Sequence, residues 1–323
     1  MRVNAVVPVA YFEPDSIITK SIECLKELEC DNFTLEICYV IETLPGDKRN
    51  LHWSLPDNFR ILLRAPRGRK AGGLNDFLRT SENADYVATF DVDNRPASDY
   101  IAKCVAALEK DDSAVLSQGC PVINNISNIL TKNMSLELNF TCETNQILSR
   151  LHSFLAFMGP MVVRGSFLES ETFNEESSGE DADLITRMYV KGGVAVLAKT
   201  TLGKQAPTTL KDLYHQRVRW QRGILESFSR YFIPMVKAPI PFMRKMSWLF
   251  IIIFSTSQFL LSPAVLFRLD KILKLSDGPL EFFMLLFGSI GFSCLMTICG
   301  FVAIAQHVTS RKREWRPSIR SDV

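Results

Sequence analysis

Past about residue 243 the chain changes character, and that change restricts what it can fold into more than any other feature. Before it, apolar and charged residues alternate as in a domain with a wet surface. Residues 247–269 then carry one charge, Arg268, near their end, and residues 280–306 carry only Glu281, near their start. Each run reaches the roughly 20 apolar residues that cross a bilayer as helix. Arg244 and Lys245 precede the first run, and Arg311, Lys312 and Arg313 follow the second. The bias of cations towards the cytoplasm predicts a transmembrane helical hairpin with both flanks on that side, and residues 270–279 as a short external loop. The alternative is two buried core helices, which rarely run so long without a polar face. Residues 231–246 hold Pro234, Pro239 and Pro241 among large apolar residues, which suits an interfacial segment or a plain linker. The chain thus divides into a domain at 1–230, an interfacial segment at 231–246, two membrane helices within 247–306 and a basic tail at 307–323.

The first of these parts reads as alternating strands and helices. Residues 3–10, 35–41, 59–63, 86–90 and 114–118 are short apolar, β-rich runs. Between them, residues 15–28, 73–80 and 100–109 have helical spacing. Such alternation predicts an α/β domain with a largely parallel sheet, whose ligands sit beyond the carboxyl ends of the strands. Further on, residues 127–157 read as a long helical segment, 162–164 as a strand, and 181–191 and 210–231 as helices. Residues 1–11 form a strand broken by Pro8 rather than a secretory leader. A net charge of +2 leaves no nucleic-acid footprint. The eight cysteines include no CxxC pair, so neither zinc nor a redox motif is indicated, and reduced thiols are the simplest expectation.

Four constellations carry chemistry. Asp91-Val92-Asp93 follows an apolar strand, and Asn94 and Pro96 suggest a turn there. Carboxylates at a strand end can hold a hard divalent cation that binds phosphate oxygens, although a solvated turn has the same sequence. Gly179-Glu180-Asp181-Ala182-Asp183 opens a helix with more acids than capping needs, and a carboxylate in a dry cleft can act as general base. On the next helix, Gln216, Arg219 and Trp220 share one face through i+3 and i+4 spacing. An amide, a guanidinium and an indole suit a phosphate and a sugar ring, and a solvated basic helix is the plainer reading. Finally, the basic run Arg60, Arg64, Arg67, Arg69 and Lys70 leads into Ala71-Gly72-Gly73-Leu74-Asn75, where cations and glycines can approach a diphosphate.

In this order (Lys-Ala-Gly-x-Leu-Asn, D-x-D, Glu-Asp, Q-x-x-R-W, apolar helices) the four motifs resemble the family 2 inverting glycosyltransferases. The group includes cellulose, chitin and hyaluronan synthases and ceramide glucosyltransferase. The resemblance covers residues 3–222 and implies a GT-A type, Rossmann-like nucleotide-sugar-binding domain. Val7-Pro8-Val9-Ala10 is similar to the family's opening nucleotide-binding strand, and Ala156-Phe157-Met158-Gly159 to its Phe-x-Gly turn facing the acceptor. By the same resemblance Asp181 is the catalytic base, supported by Glu180. Asp91 contacts the donor, Asp93 ligates a divalent cation (Mg2+ or Mn2+), and Pro8, Lys70 and Arg219 border the nucleotide and diphosphate. Gln216, Trp220 and Gly159 face the acceptor. Glu42 stands where the family often has an acidic pair contacting the uracil of a UDP-sugar donor, Gly179 where many members have Thr, and Pro160 where a small polar residue is common.

The implied reaction is transfer of a sugar to a lipid-linked or glycan acceptor at the cytoplasmic face of the cell membrane, by an integral membrane protein with both termini in the cytoplasm. A processive polysaccharide synthase is the alternative. Two spans cannot enclose a polymer channel, so that alternative needs a homo-oligomer or a partner subunit. A nucleotidyltransferase would not need Gln216, Arg219 and Trp220, and a non-catalytic scaffold would not need the acids at 91, 93, 180 and 181.

Overall fold

The computed structural model describes residues 1–46, 55–156, 159–258 and 268–309. Phe157 and Met158 of the expected Phe-x-Gly turn, residues 259–267 of the first expected span, and the basic tail from residue 310 lie outside them.

The elements run β1 (Arg2–Val9), α1 (Asp15–Lys26), β2 (Thr34–Glu42), β3 (Phe59–Arg64), α2 (Arg69–Thr80), β4 (Tyr86–Thr89), β5 (Arg95–Pro96), α3 (Tyr100–Glu109) and β6 (Ala114–Ile123). They continue with α4 (Ile129–Arg150), β7 (Val162–Arg164), α5 (Gly165–Leu168), α6 (Glu180–Val190), β8 (Val194–Lys204), α7 (Leu210–Lys237), α8 (Phe242–Thr256), α9 (Leu269–Leu275) and α10 (Pro279–Val308). The strands form one sheet in the order β3-β2-β1-β4-β7-β6-β8-β5. Its first four strands are parallel, as the alternation predicts, whereas β7 and β5 pair antiparallel to their neighbours, so the sheet is mixed.

β1 is apolar almost throughout because both faces of the sheet are covered. Val3, Ala5, Val7 and Val9 meet α1 and α3 on one side. Val6 joins α2, α6 and α8 on the other. Helix α2 lies close to β1 because Gly73 presents no side chain: a Cβ there would already touch Pro8. Asn128 and Thr131 cap α4 reciprocally, and Thr209 caps α7 through the Asp212 amide.

The C-terminal third departs from expectation. Helix α7 runs through Pro234 to Lys237 and α8 begins at Phe242, so together they make most of the expected interfacial segment helical. Residues 247–256 of the first expected span lie in the 15-residue α8, which begins at Phe242 and is about 22 Å long at 1.5 Å per residue. Trp248, Ile251 and Ile252 on α8 belong to the same core as Val6 and α2 beneath the sheet. Ser247 accepts a hydrogen bond from the Phe154 amide, and Arg244 donates to the carbonyls of His152 and Gly192. One face of α8 therefore packs on the domain core, and the described residues do not show a membrane hairpin. Among them one helix, α10, is long and apolar enough to cross a membrane. Residues 270–279 hold most of α9 and pair with α4 through Lys132 and Asp277 at 2.9 Å. Cys120 and Cys142 are joined as a disulfide between β6 and α4, which corrects the expectation of reduced thiols throughout.

Candidate active site

β4 leaves the sheet at Thr89 and the chain turns. The Asp91 amide donates to Asn94 Oδ1 at 2.7 Å, and the Asn94 amide donates to the Asp91 carbonyl at 2.9 Å. This closed turn, the one Asn94 suggested, holds Asp91 and Asp93 at the carboxyl end of a central strand. Opposite, α6 starts at Glu180, and three acids in its first turn complement its macrodipole.

Lys70 links the two. Its Nζ lies 2.7 Å from Asp91 Oδ1 and 3.1 Å from Glu180 Oε1, with both acids largely shielded from water. Burial works against the Lys70 charge, but Asp91, Glu180 and Asp181 outweigh it and hold the pKa above the ordinary lysine value. Burial also raises the Asp181 carboxyl, with Glu180 adding to the rise and Lys70 opposing it. A second cation, Lys204, ends β8 within electrostatic reach of Asp91, Asp181 and Asp93. Burial lowers its pKa while those acids pull the other way. Its Nζ sits where a side chain on Gly159 would fall, 2.7 Å from a Cβ built there, so the turn that faces the cluster needs glycine at φ +93°.

The cluster thus sets four carboxylates against two ammonium groups. Among the described residues no group of three acids, histidines or cysteines could hold a metal by itself. Asp91 and Asp93 instead fit a cation that arrives with phosphates, as Mg2+ commonly does, held by one or two carboxylates and completed by phosphate and water oxygens.

Helix α7 is docked against the start of α6 by a close backbone approach. A Cβ on Gly223 would lie 2.8 Å from the Gly179 nitrogen and 2.9 Å from its Cα. Glu226 then accepts hydrogen bonds from the Ser178 amide at 2.8 Å and hydroxyl at 3.0 Å, and pairs with Arg222 at 2.9 Å. One turn earlier stand Gln216, Arg219 and Trp220. Gln216 Oε1 is buried without a hydrogen-bond partner among the described residues, and Trp220 is 37% exposed. Arg217, at an x position of the motif, points elsewhere: it pairs with Glu137 of α4, and its guanidinium lies 4.8 Å from the Trp220 ring.

Glu42 is not in the cluster. Its carboxylate takes a hydrogen bond from Arg64 at 2.9 Å, and Arg64 also holds Asp76 at 2.7 Å. Burial raises the Glu42 pKa, with Arg64 countering it. Pro8 packs on α2 beside Gly73. A groove of about 920 Å³ lies on the other side of α6, between Asn75, Arg79, Phe173, Glu175, Asp183 and Tyr231. None of the acids in the cluster lines it, so volume alone does not locate the chemistry. Sequence reasoning missed Lys204, Gly223, Glu226 and Arg217. For Gly223 and Arg217 a local signal existed, a glycine within a helix and the second residue of Q-R-x-R-W.

The model of the family described as Glycosyl transferase family group 2 matches residues 86–305. Glucomannan 4-beta-mannosyltransferase 9 of Arabidopsis thaliana is 29% identical over 224 residues, 67% of this chain and 38% of that protein. Beta-monoglucosyldiacylglycerol synthase of Trichormus variabilis is 25% identical over 242 residues, 71% of this chain and 50% of that protein. The chain spans half or less of the length of these two curated relatives. Among solved structures, mannosyltransferase PcManGT of Pyrobaculum calidifontis, in complex with GDP-Man and Mn2+, superposes with a TM-score of 0.65 at 16% identity, over 96% of this chain and 88% of that one. Residues 1–349 of S. aureus TarS superpose with a TM-score of 0.53 at 13% identity, over 97% and 93%. The domain has the GT-A type, Rossmann-like fold.

Proposed function

The chain belongs to glycosyl transferase family group 2, and from that premise we propose that it transfers a hexosyl group, with inversion, from a nucleotide-diphosphate sugar to a lipid-linked acceptor at a membrane surface. The observation that carries this is the Lys70 bridge between Asp91 and Glu180, which brings the D-x-D turn and the Glu-Asp helix into one cluster. Family membership leaves no place for the nucleotidyltransferase alternative.

Asp181 is the base. Its raised pKa makes it a better proton acceptor than an exposed aspartate, with Lys70 opposing the rise. The acceptor oxygen loses its proton to the Asp181 carboxylate and forms the new bond to the anomeric carbon. The bond from that carbon to the diphosphate breaks, and the nucleoside diphosphate leaves with the electron pair. Lys70 and Asp91 orient the donor, and Arg219 faces the departing charge. A divalent cation held by Asp93, when bound with the donor, supplies Lewis-acid stabilisation of the diphosphate. Gln216, with its unpaired carbonyl oxygen, and Trp220 border the acceptor, with Gly159 opposite.

The donor is a UDP- or GDP-hexose. GDP-Man in the PcManGT complex and the mannosyl and glucosyl names of the relatives support the hexose. Glu42, the residue expected at the base, is tied to Arg64, so its part in base recognition runs through that pair. The glucosyldiacylglycerol synthase supports a lipid acceptor. The glucomannan relatives favour a second reading, a polysaccharide acceptor made by an oligomer or with a partner subunit. Incubation with UDP- and GDP-hexoses and Mg2+ or Mn2+, measuring nucleotide release with and without membrane lipid, tests the proposal. Release that depends on lipid supports it. Release stimulated only by oligosaccharide favours the second reading, and no release with any donor overturns both.

A further inference from the structure

Beside the acceptor-facing residues of α7 lies a buried ion pair that the proposed chemistry leaves unused. Arg217 is 7% exposed, and the Glu137 carboxylate of α4 is nearly as well shielded. Arg217 Nη1 donates to Glu137 Oε1 at 3.0 Å and Nη2 donates to Oε2, so guanidinium and carboxylate meet as two parallel forks. Gln258, just beyond α8, also donates to Glu137 Oε1, at 3.0 Å. The carboxylate is thus held by three donors from two parts of the chain. Both members of the pair stand about two turns into their helices. The starts of those helices are tied as well, because Asn128 caps α4 and donates to the Thr208 carbonyl just ahead of α7.

With its Nη edge given to Glu137, Arg217 turns a flat face to Trp220, three residues on along α7, its Cζ 4.8 Å from the ring centroid. Arg217 Nε has no hydrogen-bond partner among the described residues, so the hydrogen bonds to Glu137 set the plane of the guanidinium. Trp220 is 37% exposed, and packing leaves its ring room to turn. The guanidinium is the group that orients it.

A joint between two helices does not need charges. Taking two ions out of water offsets most of what their attraction returns, and a well-packed apolar pair of similar volume is often as stable or more so. What the ion pair adds is geometry. A planar fork fixes both distance and angle, and an apolar contact fixes neither as closely.

We propose that Glu137 is a positioning residue for the acceptor: it fixes the Arg217 guanidinium, which in turn holds the Trp220 indole against the acceptor. The inference rests on the reading of Trp220 as an acceptor-facing residue. It gives α4 a part in the acceptor site, exerted through Arg217 and Trp220 rather than on the reacting atoms.

The test compares the full chain with two variants, assayed with vesicles of a total membrane lipid extract. Glu137→Gln keeps the volume and drops the charge. Glu137→Leu with Arg217→Met replaces the pair by an apolar joint, which satisfies a purely structural role. Each is also made with Trp220→Leu, and the difference in emission isolates Trp220 from the other three tryptophans. In both variants the Trp220 emission should shift and become more open to acrylamide, with the melting temperature of the apolar variant retained. The apparent KM for lipid in nucleotide release should rise roughly three- to tenfold, with the donor KM unchanged. In the Trp220→Leu background the same substitutions should leave the lipid KM nearly unaltered, because the ring through which Glu137 acts is gone. Unchanged Trp220 emission in the folded apolar variant overturns the proposal, as does a lipid KM that rises equally in both backgrounds. Loss of fold in both variants makes the pair a structural joint and overturns it too. The emission comparison needs no turnover, so if no donor is consumed the proposed function falls while this inference is still decided.

Discussion

Two aspartates on the first turn of α6, two residues apart, stand in opposite surroundings. Asp181 faces the cluster of Lys70, Glu180 and Lys204, its carboxyl raised by burial, and accepts one hydrogen bond, from the Ala182 amide at 2.8 Å. Asp183 faces away, 1% exposed, and accepts hydrogen bonds from Asn174, Arg187, Arg230 and Tyr231 at 2.8–3.1 Å. A carboxylate with every lone pair engaged is a structural joint, here tying α6 to α7. One that burial has destabilised and that a single backbone donor engages is ready to take a proton. Both acids look alike in Glu-Asp-Ala-Asp, and only their surroundings divide the work.

The comparison breaks or sharpens through substitutions on each side. Asp183→Ala leaves Arg187, Arg230 and Tyr231 facing a vacated site, and should cost about 3–5 kcal/mol of stability in a denaturant titration. A loss below 1 kcal/mol would erase the distinction. Gly223→Ala forces α7 away from Gly179 at the seam between the two sides. About 1–3 kcal/mol of stability should go, with turnover falling further than donor affinity because the start of α6 is displaced. Lys204→Met removes a cation from beside Asp181 and raises its pKa further. The acid limb of the turnover profile should then move to higher pH, without a matching change in melting temperature.

The smallest effect has the opposite sign. The folded pKa of Asp181 lies above its ordinary value of 3.8, so the folded chain holds that proton more tightly than the unfolded one. The resulting stability is fully present below the unfolded value and is lost as pH rises through the folded one. Asp181→Asn should therefore be as stable as the unsubstituted protein at neutral pH, or slightly more so, and lose that advantage on acidification. A clear destabilisation at neutral pH would place Asp181 with Asp183.

Much of this was legible because it is local. The strands up to β4, the turn at Asn94 and the acids opening α6 are set by neighbouring residues, and period and turn chemistry report them. β8 escaped because Lys199, Thr200, Thr201 and Gly203 dilute its apolar pattern; its place comes from pairing with β6 across two register shifts. Lys204 went unseen with it, since its role depends on β8 pairing with β5, just past the Asp91–Asp93 turn, rather than on its own neighbours. Arg217 could be read as solvent-facing until α4 supplied Glu137. Hydropathy marked α8 and α10 alike, and each packs one face and leaves apolar residues exposed on the other, but α8 packs on the core beneath the sheet and α10 on α4 and α7, a difference made by packing partners.

The central claim is that Asp181 takes the acceptor's proton. It is tested most directly by measuring transfer and donor affinity together in Asp181→Asn at neutral pH. Turnover should fall by about 10²–10⁴-fold, the range for loss of a general base, with donor affinity and melting temperature retained. Near-normal turnover in a folded, donor-binding Asp181→Asn protein would contradict the account.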